Sequence, residues 1–221
     1  MSIENLLRAL TSPDLAEIVA LTLRVTGIAL ILSTIIGAPL GAIIGLSKFP
    51  GKSLVRAVLY TGMGLPPVVV GLFVYLALSR SGPLGPLGWL FTPYAMIVAQ
   101  TIIALPLTMG LTMTSVESVS PELKRQIVAL GATRAQAAWT ILREARIGVT
   151  AAIVAAFGGI ISEVGAVMLV GGNIAGETRV LTTSIVLNTR QGDFSLALAL
   201  GLILLALTFV VNTALMKLQG R

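Results

Sequence analysis

The sequence predicts an all-α, polytopic membrane protein with five transmembrane helices and a cytoplasmic pair of short helices. Three observations predict it. Only 11% of the 221 residues are charged while 56% are hydrophobic, against about 25% charged in a soluble domain. The uncharged runs reach the roughly 20 residues that a spanning helix needs. The basic residues gather at the ends of those runs. So little charge cannot cover a water-facing surface. The net charge of +6 does not point to nucleic acid, because the bases form no continuous patch. The chain has no Cys and no His, which removes disulfides, thiol chemistry, most zinc sites and His-based acid–base catalysis.

The N-terminal stretch MSIENLLRALTSPDL lacks a basic region followed by an apolar core, so it does not read as a signal peptide. Ile3, Leu6, Leu7 and Leu10 share one helical face, which predicts a short helix on the membrane surface. The first span is read as 15–47, uncharged from Val25 onward. The second is 57–79. The Pro/Gly cluster SGPLGPLG then breaks a long uncharged run and leaves a third span at 94–116. The fourth, 147–171, contains one charge, Glu163, and the fifth is 194–216. VLTTSIVLNT, before the fifth, is too short to cross and reads as a re-entrant or surface helix in the outer mouth. No internal repeat is visible.

With the N-terminus outside, the inner segments hold ten bases and the outer ones five: Arg8, Arg24, Arg80, Arg179 and Arg190. The excess of Lys and Arg belongs inside, which gives N-out, C-in. The polar segment 118–146 is then cytoplasmic. Ser120-Pro121-Glu122 has the residues of a helix start: a capping hydroxyl, a proline at the first position and a carboxylate at the positive helix end. Gly131 is placed to end that helix in a left-handed conformation. Thr133 to Gln136 reads as a capping box opening a second helix. A plain connector between spans rarely needs two capped helices. An apolar face beside bases suits docking of a partner protein.

This stretch resembles the cytoplasmic EAA loop of ATP-binding-cassette importer permeases. The loop's glycine falls on Gly131, followed by Ala132 and Thr133. Its acidic position falls on Arg125, its two alanines on Gln126 and Ile127, and its Leu-Pro ending on Arg143-Glu144, so the flanks depart from the pattern. GLPPVVVGL (64–72), ALPLTMGLTMTSVESVSPEL (104–123), SEVGAVMLVGGNIAGETRVLTTSI (162–185) and RQGDFSLALALGLILL (190–205) resemble oxyanion importer permeases of the molybdate and tungstate type, the tungstate permeases most. The likeness covers residues 15 to 216.

The resemblance implies a homodimer in a prokaryotic plasma membrane. It implies two cytosolic ATPase subunits beneath, which bind ATP and magnesium, and an extracytoplasmic oxyanion-binding protein above. This chain is then a non-catalytic subunit with no cofactor of its own. Gly131, Ala132, Thr133, Arg134, Ala135 and Gln136 are implied as the contact with the ATPase. The cargo implied is tungstate, with molybdate or another anion as the alternative.

Other residues stand out by their own chemistry. Glu163 is an intramembrane charge, which costs about 2.5–3.5 kcal/mol on insertion scales and therefore marks a partner or a pathway. A bare carboxylate would repel an anion, so Glu163 reads as paired or capped inside the bundle, with Arg24 a candidate partner or else an interface residue. Gly37, Gly41 and Gly45 form a small-residue ridge for close helix packing. Pro66, Pro67 and Pro106 are expected to kink or break their helices and so to shape the pathway or simply bend it. Asn173, Thr178, Thr182, Thr183 and Asn188 are outer candidates for meeting the anion or its binding protein.

GLSKFPGKS (45–53) approaches a phosphate-binding loop, but five residues separate Gly45 from Gly51 where the motif has four, and it follows a membrane helix rather than a strand. Two rival classes remain. A stand-alone secondary carrier predicts repeated halves and midplane ion ligands, of which only Glu163 is present. An intramembrane enzyme lacks His, Cys and any Gly-x-Ser-x-Gly in a span.

Overall fold

A computed structural model describes residues 13–219. The proposed surface helix carrying Ile3, Leu6, Leu7 and Leu10 lies outside the described residues. Ten α-helices follow one another: α1 (Pro13–Leu46), α2 (Lys52–Met63), α3 (Pro67–Leu78), α4 (Pro93–Glu117), α5 (Pro121–Ala129), α6 (Arg134–Glu144), α7 (Arg146–Ile161), α8 (Gly165–Gly171), α9 (Leu181–Arg190) and α10 (Phe194–Gln219). No strand occurs among the described residues.

Among the described residues, three helices are long and apolar enough to cross a membrane by themselves: α1, α4 and α10. The others are broken. α2 and α3 form one apolar unit bent by 95°, at the Pro66-Pro67 pair. Pro67 has no amide hydrogen to continue a helix, and Pro66 is held extended at φ −60°, ψ 120°. The fourth span differs from its expected course. The helix read as 147–171 stops at Ile161, and a separate seven-residue helix, α8, restarts at Gly165. α4 runs unbroken through Pro106.

α4 is the axis of the bundle. α1, α2, α3, α7 and α8 all pack against it, α1 most extensively. The Gly37–Gly41–Gly45 ridge makes this approach close. A methyl group on Gly41 would run into the backbone of Met109, and one on Gly45 would lie 2.9 Å from the Met113 carbonyl. Lipid tails are as apolar as leucine, so helix association in a membrane depends on such fit and on polar links rather than on burial. Thr108 supplies one link: its hydroxyl donates to the Ser33 carbonyl of α1 at 2.9 Å.

Candidate functional site

Among the described residues, polar chemistry gathers at a knuckle at the inner end and at the break between α7 and α8.

The knuckle is α5 and α6 with their turn. Ser120 Oγ accepts from the Leu123 amide at 3.2 Å and opens α5. Gly131, at φ +79°, ends it in the left-handed region, and the Gly131 and Ala132 amides donate back to the Val128 and Ile127 carbonyls. Thr133 then opens α6 with both halves of a capping box: its amide donates to Gln136 Oε1 at 2.8 Å, and its hydroxyl accepts from the Gln136 amide at 3.3 Å. Beneath this turn lies a small core of Ile127, Ile141 and Ala145 against Ala42 of α1 and Val116 and Val119 at the end of α4. The knuckle is thus cemented to two spans. On its outer side Gly131, Thr133, Arg134, Ala135 and Gln136 are exposed and Ala132 is half-buried. Val128 and Leu130 stand beside them at 66% and 86% exposure. Arg125, at the motif's acidic position, pairs with Glu122 at 3.0 Å on the open surface.

Sequence reasoning missed the clamp behind the knuckle. Glu117, at the end of α4, accepts from Lys52 at 2.9 Å and from Arg56 at 2.8 Å, both on α2. Lys52 Nζ also donates to the Gly45 and Ser47 carbonyls, closing the C-terminal end of α1. Lys124 does the same for the Val116 and Glu117 carbonyls of α4. Cations belong at these negative helix ends. The signal was present: Lys52 and Arg56, four apart, share a helix face, and Glu117 ends the neighbouring span.

The α7–α8 break frees backbone groups, and the protein meets them. Gln100 of α4, 4% exposed, donates to the Ile160 carbonyl at 3.0 Å. Thr182 donates to the Glu163 carbonyl at 3.0 Å. The Glu163 carboxylate accepts from the Ala166 amide at 2.9 Å and caps α8. Unsatisfied backbone would cost several kcal/mol in hydrocarbon, so these contacts make the break tolerable. Glu163 is in no ion pair among the described residues. Arg24 is exposed and lines an outer pocket with Asp14 and Glu17, so it does not partner Glu163.

The structure sets Pro66, Pro67 and Glu163 at neighbouring breaks. A methyl group on Gly165 would contact Val68, just after the prolines, and one on Gly71 would lie 2.6 Å from Ala166 Cα. Pro106 packs on Gly62, just before the elbow. Asn173 stands apart in the outer loop at φ +54°. Thr178, Thr182 and Thr183 are buried and do not face outward. The Thr178 and Thr183 hydroxyls accept from the Ile174 and Val180 amides. α9 is a ten-residue helix whose first amide donates to Thr22 of α1.

The site is thus a rigid knuckle at one end of a bundle whose spans are broken. The family model described as binding-protein-dependent transport system inner membrane component matches residues 37–221. The chain is 46% identical over 212 residues to a probable anion ATP-binding-cassette transporter permease of Haloferax volcanii, covering 94% of this chain and 91% of that one. It is 42% identical over 207 residues to the tungstate uptake system permease of Peptoclostridium acidaminophilum, with the same coverage. The crystal structure of a bacterial transporter that imports the acidic polysaccharide alginate matches in fold, with a TM-score of 0.79 at 20% identity over 100% of this chain and 84% of that one. The chain belongs to the binding-protein-dependent transport system inner membrane components, and it is a multi-pass protein of the plasma membrane.

Proposed function

We propose that this chain is the permease of an ATP-driven importer of an oxyanion, tungstate foremost. It works as a homodimer with two cytosolic ATPases beneath and an anion-delivering binding protein outside. ATP and magnesium are bound by the ATPases.

The observation that carries this reading is the knuckle. Two capped helices present bare Val128 and Leu130 at the inner end of the bundle. They rest on a core shared with α1 and α4. A rigid element so anchored transmits a push from a docked partner to the spans as a rigid-body shift. The α2–α3 elbow supports the homodimer. Gly64, Leu65 and Pro66 are exposed, and they lie near the level of Pro106, the middle of α4. Irregular backbone at that depth cannot face hydrocarbon and must meet protein or a water-filled path. A second copy facing the elbow supplies both. The 42% identity to a tungstate permease supports the cargo.

The test is uptake by the chain assembled with its ATPase and binding protein. Ala135→Glu places a carboxylate on the exposed turn. It is expected to lower co-purification of the ATPase and to reduce uptake by roughly tenfold or more, as loss of a central interface contact does. Full uptake with unchanged co-purification would count against the reading. Titrating the binding protein with tungstate and with molybdate decides the cargo.

A further inference from the structure

A cavity of about 420 Å³ opens at the inner end of the bundle, between α1 and the α6–α7 corner. Its floor is apolar: Ala38 and Pro39 of α1, with Leu142 and Val149. Its rim is Trp139, Arg143 and Arg146. We infer that this groove binds one anionic phospholipid of the inner leaflet, with an acyl chain on the Pro39 floor and the headgroup phosphate between the two guanidinium groups.

Depth and orientation fit. Pro39 lies seven residues before the inner end of α1 at Leu46, about 10 Å at 1.5 Å per residue, inside the uncharged stretch from Val25 to Ser47. Arg143 and Arg146 flank the 62° corner between α6 and α7, where the span leaves the membrane. Trp139, one turn before Arg143, is 68% exposed, and tryptophan favours the headgroup level. The groove adjoins a bare apolar stripe on α1 formed by Ile35, Ile36, Leu40 and Ile43, so it opens toward lipid.

Charge selects the lipid class. Neither Arg143 nor Arg146 is in an ion pair among the described residues. No residue lining the cavity is acidic. Glu144, between them in sequence, turns into a different cleft with Ser115 and Ser118. Arginines occur at inner span ends generally, but Arg125 and Arg134, also exposed, do not line this groove. Two unpaired cations over an apolar floor match a phosphodiester above an acyl chain.

Native mass spectrometry of the full chain, released from micelles containing phosphatidylglycerol or phosphatidylcholine, tests this. The wild type is expected to retain one phosphatidylglycerol with roughly tenfold preference, from two cations near the headgroup. The double variant Arg143→Gln/Arg146→Gln is expected to lose that preference, while Arg125→Gln/Arg134→Gln, with the same charge removed elsewhere, keeps it. Equal retention of both lipids by the wild type, or an unchanged preference in Arg143→Gln/Arg146→Gln, overturns the inference. A photoactivatable phosphatidylglycerol on the unmutated chain needs no variant to fold. Label concentrated on Ala38–Pro39 and Trp139–Thr150 supports the site, and even labelling overturns it. Disulfide linkage of two copies through Ala38→Cys would show that a second copy covers the groove, which also overturns it.

Discussion

Glu117 and Glu163 are both half-buried carboxylates in an apolar bundle, and they are satisfied in opposite ways. Glu117, at the inner end, is gripped by two cations, Lys52 and Arg56. Glu163, at the α7–α8 break, meets no cation among the described residues and caps a short helix through the Ala166 amide. Glu117 sits at the end of its span with the two α2 cations within 2.9 Å, so its charge is balanced where it lies. Within a span each extra charge is expensive, so the break is closed with amides and hydroxyls instead. The inner end is therefore a frame held by ion pairs, and the α7–α8 break is a joint held by hydrogen bonds. A joint of neutral contacts is the better place for half-helices to move, and a clamped frame is the better place to receive a push.

The largest effect is expected at the joint, from sterics rather than charge. Gly71→Leu drives a side chain into Ala166, where even a Cβ would sit 2.6 Å from backbone. Overpacking of this kind costs about 1–3 kcal/mol or more, so folded yield in detergent should fall sharply. Normal yield and melting would show that α3 and α8 do not need this contact. Glu117→Gln comes next. It leaves Lys52 and Arg56 without their carboxylate and is expected to cost about 1–3 kcal/mol. The loss should shrink in high salt, because the surviving wild-type contact is screened. A salt-independent loss would mean that Glu117 acts by packing. Glu163→Gln is smallest. The amide oxygen still accepts from Ala166, so stability should change by less than about 1 kcal/mol with no salt dependence, whereas Glu163→Ala removes the cap and costs about 1 kcal/mol. If Glu163→Gln is as damaging as Glu117→Gln, the carboxylate at the break needs its charge and the contrast fails.

Local signals explain which parts were legible in the sequence. The knuckle was readable because its caps use residues within four positions: Ser120 to Leu123, and Thr133 to Gln136. The glycine ridge showed that α1 approaches another helix, but only the structure names α4. The break at Ser162–Val164 was hidden. No proline marks it, and 147–171, with Glu163 its one charge, reads as one span. Glu163 caps α8 locally through the Ala166 amide, but the contacts from Gln100 to the Ile160 carbonyl and from Thr182 to the Glu163 carbonyl come from distant segments. The Glu117 clamp was hidden for the same reason, since its partners lie 61 residues or more away along the chain. Arg24 looked like a partner for Glu163 only while both were placed by hydropathy.

Composition and period by themselves determined that this chain lives in a bilayer, which way it points and where its rigid inner corner lies. Those properties depend on the energy of each segment in water or lipid, which neighbours in sequence decide. Only the tertiary structure decided where a span breaks and which cations hold a carboxylate. Such features depend on hydrogen bonds between helices, and a donor on one helix can stabilise a broken turn on another only after the two have packed.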